Sequence, residues 1–234
     1  MRSFDPKVEL ALMLAAVLAG FAAFAAMPPV DLWVSALFYT ANGDWLWEGR
    51  VSEAVRNLQW NLSTLLVVIA AGVLVRRAVL KRDSFGVPWR VWAFVLALYA
   101  LASGVLANGL LKSHWGRARP ANVVEFGGTA EFTLPYQIAD QCARNCSFVS
   151  GEVTAAVAFS ICLLVLLRQW HLRTSITVPL VIFAFAFPIV NALQRIASGR
   201  HFLSDALFAA LFTLIIARLL WRAFGLSKPA APRS

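Results

Sequence analysis

Six stretches rich in apolar residues, at 8–27, 60–80, 91–111, 147–167, 176–193 and 202–220, are each long enough, or nearly so, to cross a membrane as a helix. A span of that kind needs about twenty residues for a hydrocarbon core of about 30 Å. No other feature constrains the chain as strongly. In lipid every backbone N–H and C=O must be satisfied inside the protein, and a helix does this within itself. The fold class expected is all-α, a six-transmembrane helical bundle forming one domain over residues 1–234. Composition agrees: with 60% of the residues apolar and 14% charged, a soluble domain of this size would lack the polar surface to cover itself. Two windows are less clean. Arg76 and Arg77 must snorkel at one end of the second, and Glu152 stands near the start of the fourth. Residues 8–27 also follow a short basic start, as the apolar part of a signal peptide does. They are long for that role, and Pro28-Pro29 gives no small-residue cleavage pattern, so a retained first helix is expected.

Charge sets the expected orientation. Arg2, Lys7, the segments around Arg76 to Arg90, around Arg168 and Arg173, and from Arg218 to Arg233 hold 13 of the 21 Lys and Arg residues on one side. By the positive-inside tendency that side is cytoplasmic, with both termini there. The net charge of +9 then reads as topology and contact with anionic head groups, and nucleic acid is not an expected partner. Residues 226–234, with Pro229 and Pro232, read as a flexible tail. Three connections face outward: 28–59, 112–149 and 194–201. Five of the remaining eight basic residues, Lys112, Arg117, Arg119, Arg195 and Arg200, cluster in the last two. Basic residues on that side call for a bound anion.

Three constellations lie around those connections. Lys112 and Arg119, the latter stiffened by Pro120, can converge on one tetrahedral anion, the lysine as a point charge and the arginine as a planar fork. Taken alone, such a pair is more often an interfacial anchor. Ser150-Gly151-Glu152 opens the fourth span, where Ser150 can cap the helix and leave first-turn N–H groups facing an anion; an ordinary N-cap with an acidic first turn is the plainer reading. Arg195, His201 and Asp205 join the fifth and sixth spans. His201 and Asp205, four apart, share one helix face, and a carboxylate there can keep one ring nitrogen protonated while the other attacks. An ionisable residue one turn into a membrane helix is costly and by default marks function.

Together the three sets resemble the type 2 phosphatidic acid phosphatase (PAP2) superfamily, whose motifs run K-x6-RP, PSGH and SR-x5-H-x3-D. Lys112 to Pro120 matches the first in full. Arg195, His201 and Asp205 match the third in spacing, with Gln194 where serine is usual. Val149-Ser150-Gly151-Glu152 departs from the second, with glutamate in place of the histidine. The family's membrane members also have six spans, with these motifs at the outer ends of spans three to six.

The resemblance implies a lipid phosphatase that needs no metal or other cofactor. His201 would attack phosphorus and form a phosphohistidine, Asp205 would orient the imidazole, and Lys112, Arg119, Arg195, Ser150 and the Gly151 N–H would hold the phosphate. Glu152 would replace the missing histidine as acid and base, with activity favouring mildly acidic pH. Arg117 and Arg200, outside the shared motifs, are expected to aid head-group binding. His114 is expected to be an interfacial loop residue, and His171 has no catalytic role. The implied setting is a bacterial inner membrane with the site facing the periplasm, the partners being the bilayer and a lipid with an exposed phosphate; no protein partner is expected. The 37-residue loop 113–149 could cover a large sugar head group, which favours lipid A over undecaprenyl diphosphate, phosphatidylglycerol phosphate or phosphatidic acid. A lipid phosphotransferase and an inactive lipid-phosphate-binding protein are the other functions considered. Cys142 and Cys146, in the large outer loop, are either bridged or two free thiols, and there is no Cys and His spacing that suits zinc.

Overall fold

A computed structural model describes residues 5–226. The chain runs through α1 (Pro6–Ala26), α2 (Val30–Ala36), α3 (Arg50–Leu80), α4 (Trp89–His114), α5 (Gly151–Trp170), α6 (Thr174–Ala197) and α7 (Leu203–Ala223). All except the short α2 are long and apolar enough to cross a membrane, so the six expected spans are present. Among the described residues there are isolated β-bridges but no strand. Of the expected tail, Leu226 packs against the core, and residues 227–234 lie outside the described part.

The helix borders differ from the apolar windows where polar side chains find partners inside the bundle. α3 starts at Arg50 rather than at residue 60. Its early turns carry Ser52 and Gln59, both buried. Gln194 donates to the Ser52 hydroxyl at 2.7 Å, Gln59 donates to the Phe187 carbonyl at 2.9 Å, and Asn191 donates to the Gln59 side chain at 2.9 Å. These bonds join α3 to α6, so the helix continues without an apolar sequence. At 31 residues α3 is about 46 Å long, more than a hydrocarbon core of about 30 Å requires, so its first turns extend toward head-group depth. α4 passes from α to the wider i→i+5 pattern over Tyr99–Leu111, a change that hydrophobic periodicity does not announce. α2, inside the expected 28–59 connection, places Asp31 in the interior.

α5 is the centre of the bundle. It packs against α3, α4, α6 and α7, and 72% of its apolar window is buried, against 6% for α1. α1 lies outside and leans on α7, with Phe21 stacked on Phe208 at 4.3 Å. Glu9 of α1 pairs with Arg218 and Arg222 of α7, which fixes both ends of the described chain at one end of the bundle. The opposite end carries the long connection 115–150 and the turn 198–202. There Gly199 has φ +65° and faces the Trp45 indole so closely that a Cβ would come within 2.3 Å of it, so only glycine fits.

Candidate active site

The centre of this end is His201, 3% exposed, in the extended stretch just before α7. Its Nδ1 lies 2.8 Å from the backbone carbonyl oxygen of Ser147 and 3.6 Å from Asp205 Oδ2. A carbonyl only accepts, so Nδ1 carries the proton and Nε2 keeps its lone pair. Burial pushes the His201 pKa down to about 4, with the Asp205 carboxylate opposing and Lys112 and Arg119 adding to the fall. The imidazole is therefore neutral at pH 7.

Asp205, expected to hold the imidazole, reaches it at a longer distance and acts as a hub. Oδ2 accepts from the Ser147 hydroxyl and from the Phe202 N–H at 2.8 Å, which closes the first turn of α7. Oδ1 accepts from Arg117 at 2.7 Å. Thus the carboxylate fixes Ser147, and Ser147 fixes the ring. Arg117 is fully buried: it also donates to Asp31 at 2.8 Å, to the Ser204 hydroxyl at 2.7 Å and to the Thr133 carbonyl at 2.8 Å, and its guanidinium lies 4.4 Å from the Phe202 ring centre. Asp31 in turn accepts from the Ser204 N–H and hydroxyl. The expectation that Arg117 aids head-group binding is corrected here: with 0% exposure it meets no ligand, and its charge is taken up by two buried carboxylates.

A cavity of about 460 Å³ opens above His201. Lys112, Arg119, Glu152, Arg195 and His201, from all three sequence constellations, line it together, and so does Arg200. Lys112 Nζ donates to the Asn145 side-chain oxygen at 3.1 Å, and Arg119 donates to the Asn145 carbonyl at 2.8 Å. Burial, then the charges of Arg200 and Arg195, lower the pKa of Arg119. Arg195 donates to Glu152 at 2.8 Å and to Ser198 at 3.3 Å, while its Nε has no partner among the described residues. Glu152 is gripped from the other side by Arg56 Nε, at 2.9 and 3.2 Å from its two oxygens. Ser150 and Gly151 do not line this cavity. Ser150 is fully buried, and its hydroxyl caps α5 by accepting from the Val153 N–H at 3.3 Å; Gly151 borders an adjoining cavity, where Asn108 packs so near that a Cβ would come within 2.8 Å of it.

Cys142 and Cys146 form a disulfide. It closes the short loop that carries Asn145, whose φ of +51° turns it toward Lys112 and Arg119. His114 bonds the Leu110 carbonyl at 2.8 Å and His171 the Gln169 carbonyl at 2.9 Å, and neither lines the cavity. The residues not found from sequence are Asp31, Arg56, Asn145, Ser147 and Ser204. None belongs to a spaced motif. The one signal available was cost: Asp31 and Arg56 are charged residues flanking apolar stretches.

A family model described as the PAP2 superfamily matches residues 93–228. A lipid A 4'-phosphatase of Rhizobium leguminosarum is 30% identical over 210 residues, covering 83% of this chain and 87% of that protein. A lipid A 4'-phosphatase of Francisella tularensis subsp. novicida is 32% identical over 139 residues, covering 57% of this chain and 58% of that protein. Among solved structures, a transmembrane PAP2 type phosphatidylglycerolphosphate phosphatase from Bacillus subtilis superposes with a TM-score of 0.62 at 19% identity, over 94% of this chain and 98% of that one, a likeness of fold. Matched by the family model over more than half its length, and by relatives over most of it, the chain belongs to the PAP2 superfamily.

Proposed function

We propose that this protein is a membrane phosphatase that hydrolyses a phosphate monoester of lipid A, through a phosphohistidine on His201, at the periplasmic face of a bacterial inner membrane. The observation that carries the reaction is the meeting of a neutral His201 with Lys112, Arg119 and Arg195 around one cavity. The lipid A assignment draws on the relatives of that name, and the phosphate at the 4' position is the first to test. The basic residues at the far end of the bundle, Arg76 to Arg90 and Arg218 with Arg222, favour a cytoplasmic setting for that end.

In the first step the Nε2 lone pair attacks phosphorus, the N–P bond forms, the P–O bond to the sugar breaks, and the sugar oxygen leaves with the electron pair. Lys112, Arg119 and Arg195, which line the cavity together, take up charge on the phosphoryl oxygens. Attack makes the ring cationic. Two carboxylates, Asp31 and Asp205, share the single guanidinium of Arg117, and the net negative charge they leave steadies that cation. In the second step water attacks phosphorus, the N–P bond breaks, and the pair returns to Nε2.

Glu152 is proposed as the acid and base. Its ion pairs with Arg56 and Arg195 are those of an ionised carboxylate, which suits taking the proton from water in the second step. For the first step Glu152 must take up a proton from solvent as the substrate phosphate draws Arg195 off it; it gives that proton to the sugar oxygen, and the carboxylate so left takes the proton from water in the second step.

Phosphate release in detergent, with chelator present, tests the assignment on lipid A, undecaprenyl diphosphate and phosphatidylglycerol phosphate. Wild type is expected to prefer lipid A, His201→Ala to be inactive, and an acid-labile phosphoenzyme to form in wild type alone. Equal activity of His201→Ala rules out the histidine mechanism, and preference for another lipid replaces the substrate.

A further inference from the structure

Next to the phosphate cavity lies a second one, of about 360 Å³. It shares Arg56, Lys112, Asn145 and Glu152 with the first, and beyond them it is walled by Asn57, Trp60 and Asn108. A phosphate held by Lys112 therefore stands at the boundary of the two, with its ester substituent free to enter the second. Asn57 and Trp60 are three apart on α3 and so share a face. Both belong to the early turns of α3, which extend toward head-group depth.

The wall has a chemistry that lipid does not explain. The Asn57 carboxamide and the Trp60 indole N–H make no hydrogen bond among the described residues, and Trp60 is 54% exposed. Asn108, also exposed, donates its amide N–H to the Ser103 carbonyl of its own helix at 2.7 Å, and only its side-chain oxygen is left to face the cavity. An interfacial tryptophan often serves as an anchor, but here the indole borders a concavity continuous with the reacting centre. An aromatic face beside carboxamides suits a sugar ring, which offers a C–H face to the indole and hydroxyl and acylamide groups to the amides. A glycerol backbone offers no such face. The volume lies at the low end of the ligand-pocket range, about right for one ring and too small for a bundle of acyl chains.

We infer that this second cavity is a carbohydrate subsite, which holds the hexosamine ring whose phosphate is attacked by His201. The inference rests on the lipid A reading and deepens it. Trp60 and Asn57 set specificity there and take no part in the chemistry.

The test uses the full chain in detergent, with lipid A as substrate and two competitive inhibitors: phosphate-free lipid A, which engages the sugar subsite, and inorganic phosphate, which engages the cation cluster. Trp60→Ala and Asn57→Ala are each expected to weaken inhibition by phosphate-free lipid A about tenfold, the loss of roughly one good contact, and to leave that by inorganic phosphate within about twofold. Trp60→Phe, which keeps a ring, is expected to stay close to wild type. Inhibition by phosphate-free lipid A that is unchanged in both alanine variants overturns the subsite, and so does an equal shift for both inhibitors, which indicates an anchoring or folding role. If wild type releases no phosphate from lipid A, the functional reading fails and the subsite with it. If wild type does so and the variants show no selective loss, the subsite alone fails.

Discussion

The imidazole of His201 lies nearest the backbone carbonyl of Ser147, 2.8 Å from Nδ1, with the carboxylate of Asp205, four residues along its own segment, farther off at 3.6 Å. Asp205 works one bond removed, by binding the Ser147 hydroxyl and the Phe202 N–H. A main-chain acceptor fixes the tautomer of the neutral ring, and it does not depend on the ionisation of Asp205.

This arrangement has a pH consequence. The His201 pKa, about 4 in the folded protein, lies below the value near 6.5 of an unfolded chain. Between those values the unfolded state binds more protons, so the contribution of His201 to stability is complete above about pH 6.5 and is lost as pH falls toward 4. Melting temperature in detergent is expected to drop over that window in wild type and to drop less in His201→Gln. Any acid limb of kcat/KM above pH 5 belongs to a group other than His201, and its absence from Glu152→Gln would assign it to Glu152.

Arg117 is expected to be the most sensitive residue for stability. Arg117→Ala leaves Asp31 and Asp205 buried without their shared cation, a loss of about 3–5 kcal/mol on the scale of broken buried ion pairs. Arg117→Lys, with one point charge for a fork that reaches four groups, is expected to fall between it and wild type. Thermal unfolding in detergent checks both, and a melting temperature unchanged in Arg117→Ala contradicts the role given to this residue.

Glu152→Gln is expected to slow the second step more than the first. Rapid mixing should show a burst of dephosphorylated lipid of about one per enzyme, followed by slow turnover, with phosphoenzyme accumulating. Turnover equal to wild type removes Glu152 from the acid and base role. Because Arg56 and Glu152 touch, Arg56→Ala and Glu152→Gln should not add; their combined effect on kcat is expected to fall short of the sum by about 0.5–3 kcal/mol in a double-mutant cycle.

Reduction of the Cys142–Cys146 disulfide, or the Cys142→Ser/Cys146→Ser pair, frees the loop that brings Asn145 to Lys112 and Arg119. A severalfold rise in KM for the lipid is expected, with kcat changed less. Identical kinetics before and after reduction would show that the loop is held without the bridge.

The spans and the meeting of the candidate site residues are legible in the sequence because both depend on spacing. Apolar windows of helix length gave six spans, and Lys112, Arg119, Arg195 and His201, fixed at helix ends, meet at one cavity. What stayed hidden depends on pairing across the fold. Arg56 reaches Glu152 from ninety-six positions away, and Asp31 meets Ser204 across 173. The early start of α3 is hidden for the same reason: Ser52 and Gln59 read as polar and outside the membrane, yet their partners on α6 let the helix carry them into the bundle. Arg117, a basic residue in an outward loop, has the sequence pattern of a surface charge, and only the fold brings it to its two carboxylates.

The contact of Asp31 with Arg117 and Ser204 also bears on how the protein is made. A chain leaving the ribosome delivers α2 near its beginning and α7 near its end, so Asp31 waits for its hydroxyl and amide partners until the last span has been inserted. Glu9 likewise waits for Arg218 and Arg222. Until then Glu9, in the first turn of the first span, and Asp31, just after it, lack those partners, and the helix, hardly buried by its neighbours, is held in lipid by its own apolarity. α7 thus supplies the surface on which the first helix docks, and the same helix completes the buried charge network beside His201. A nascent chain cut short before α7 would carry Arg117 and Asp31 without Ser204 and Asp205, so the charge network beside His201 forms only once the last helix is made.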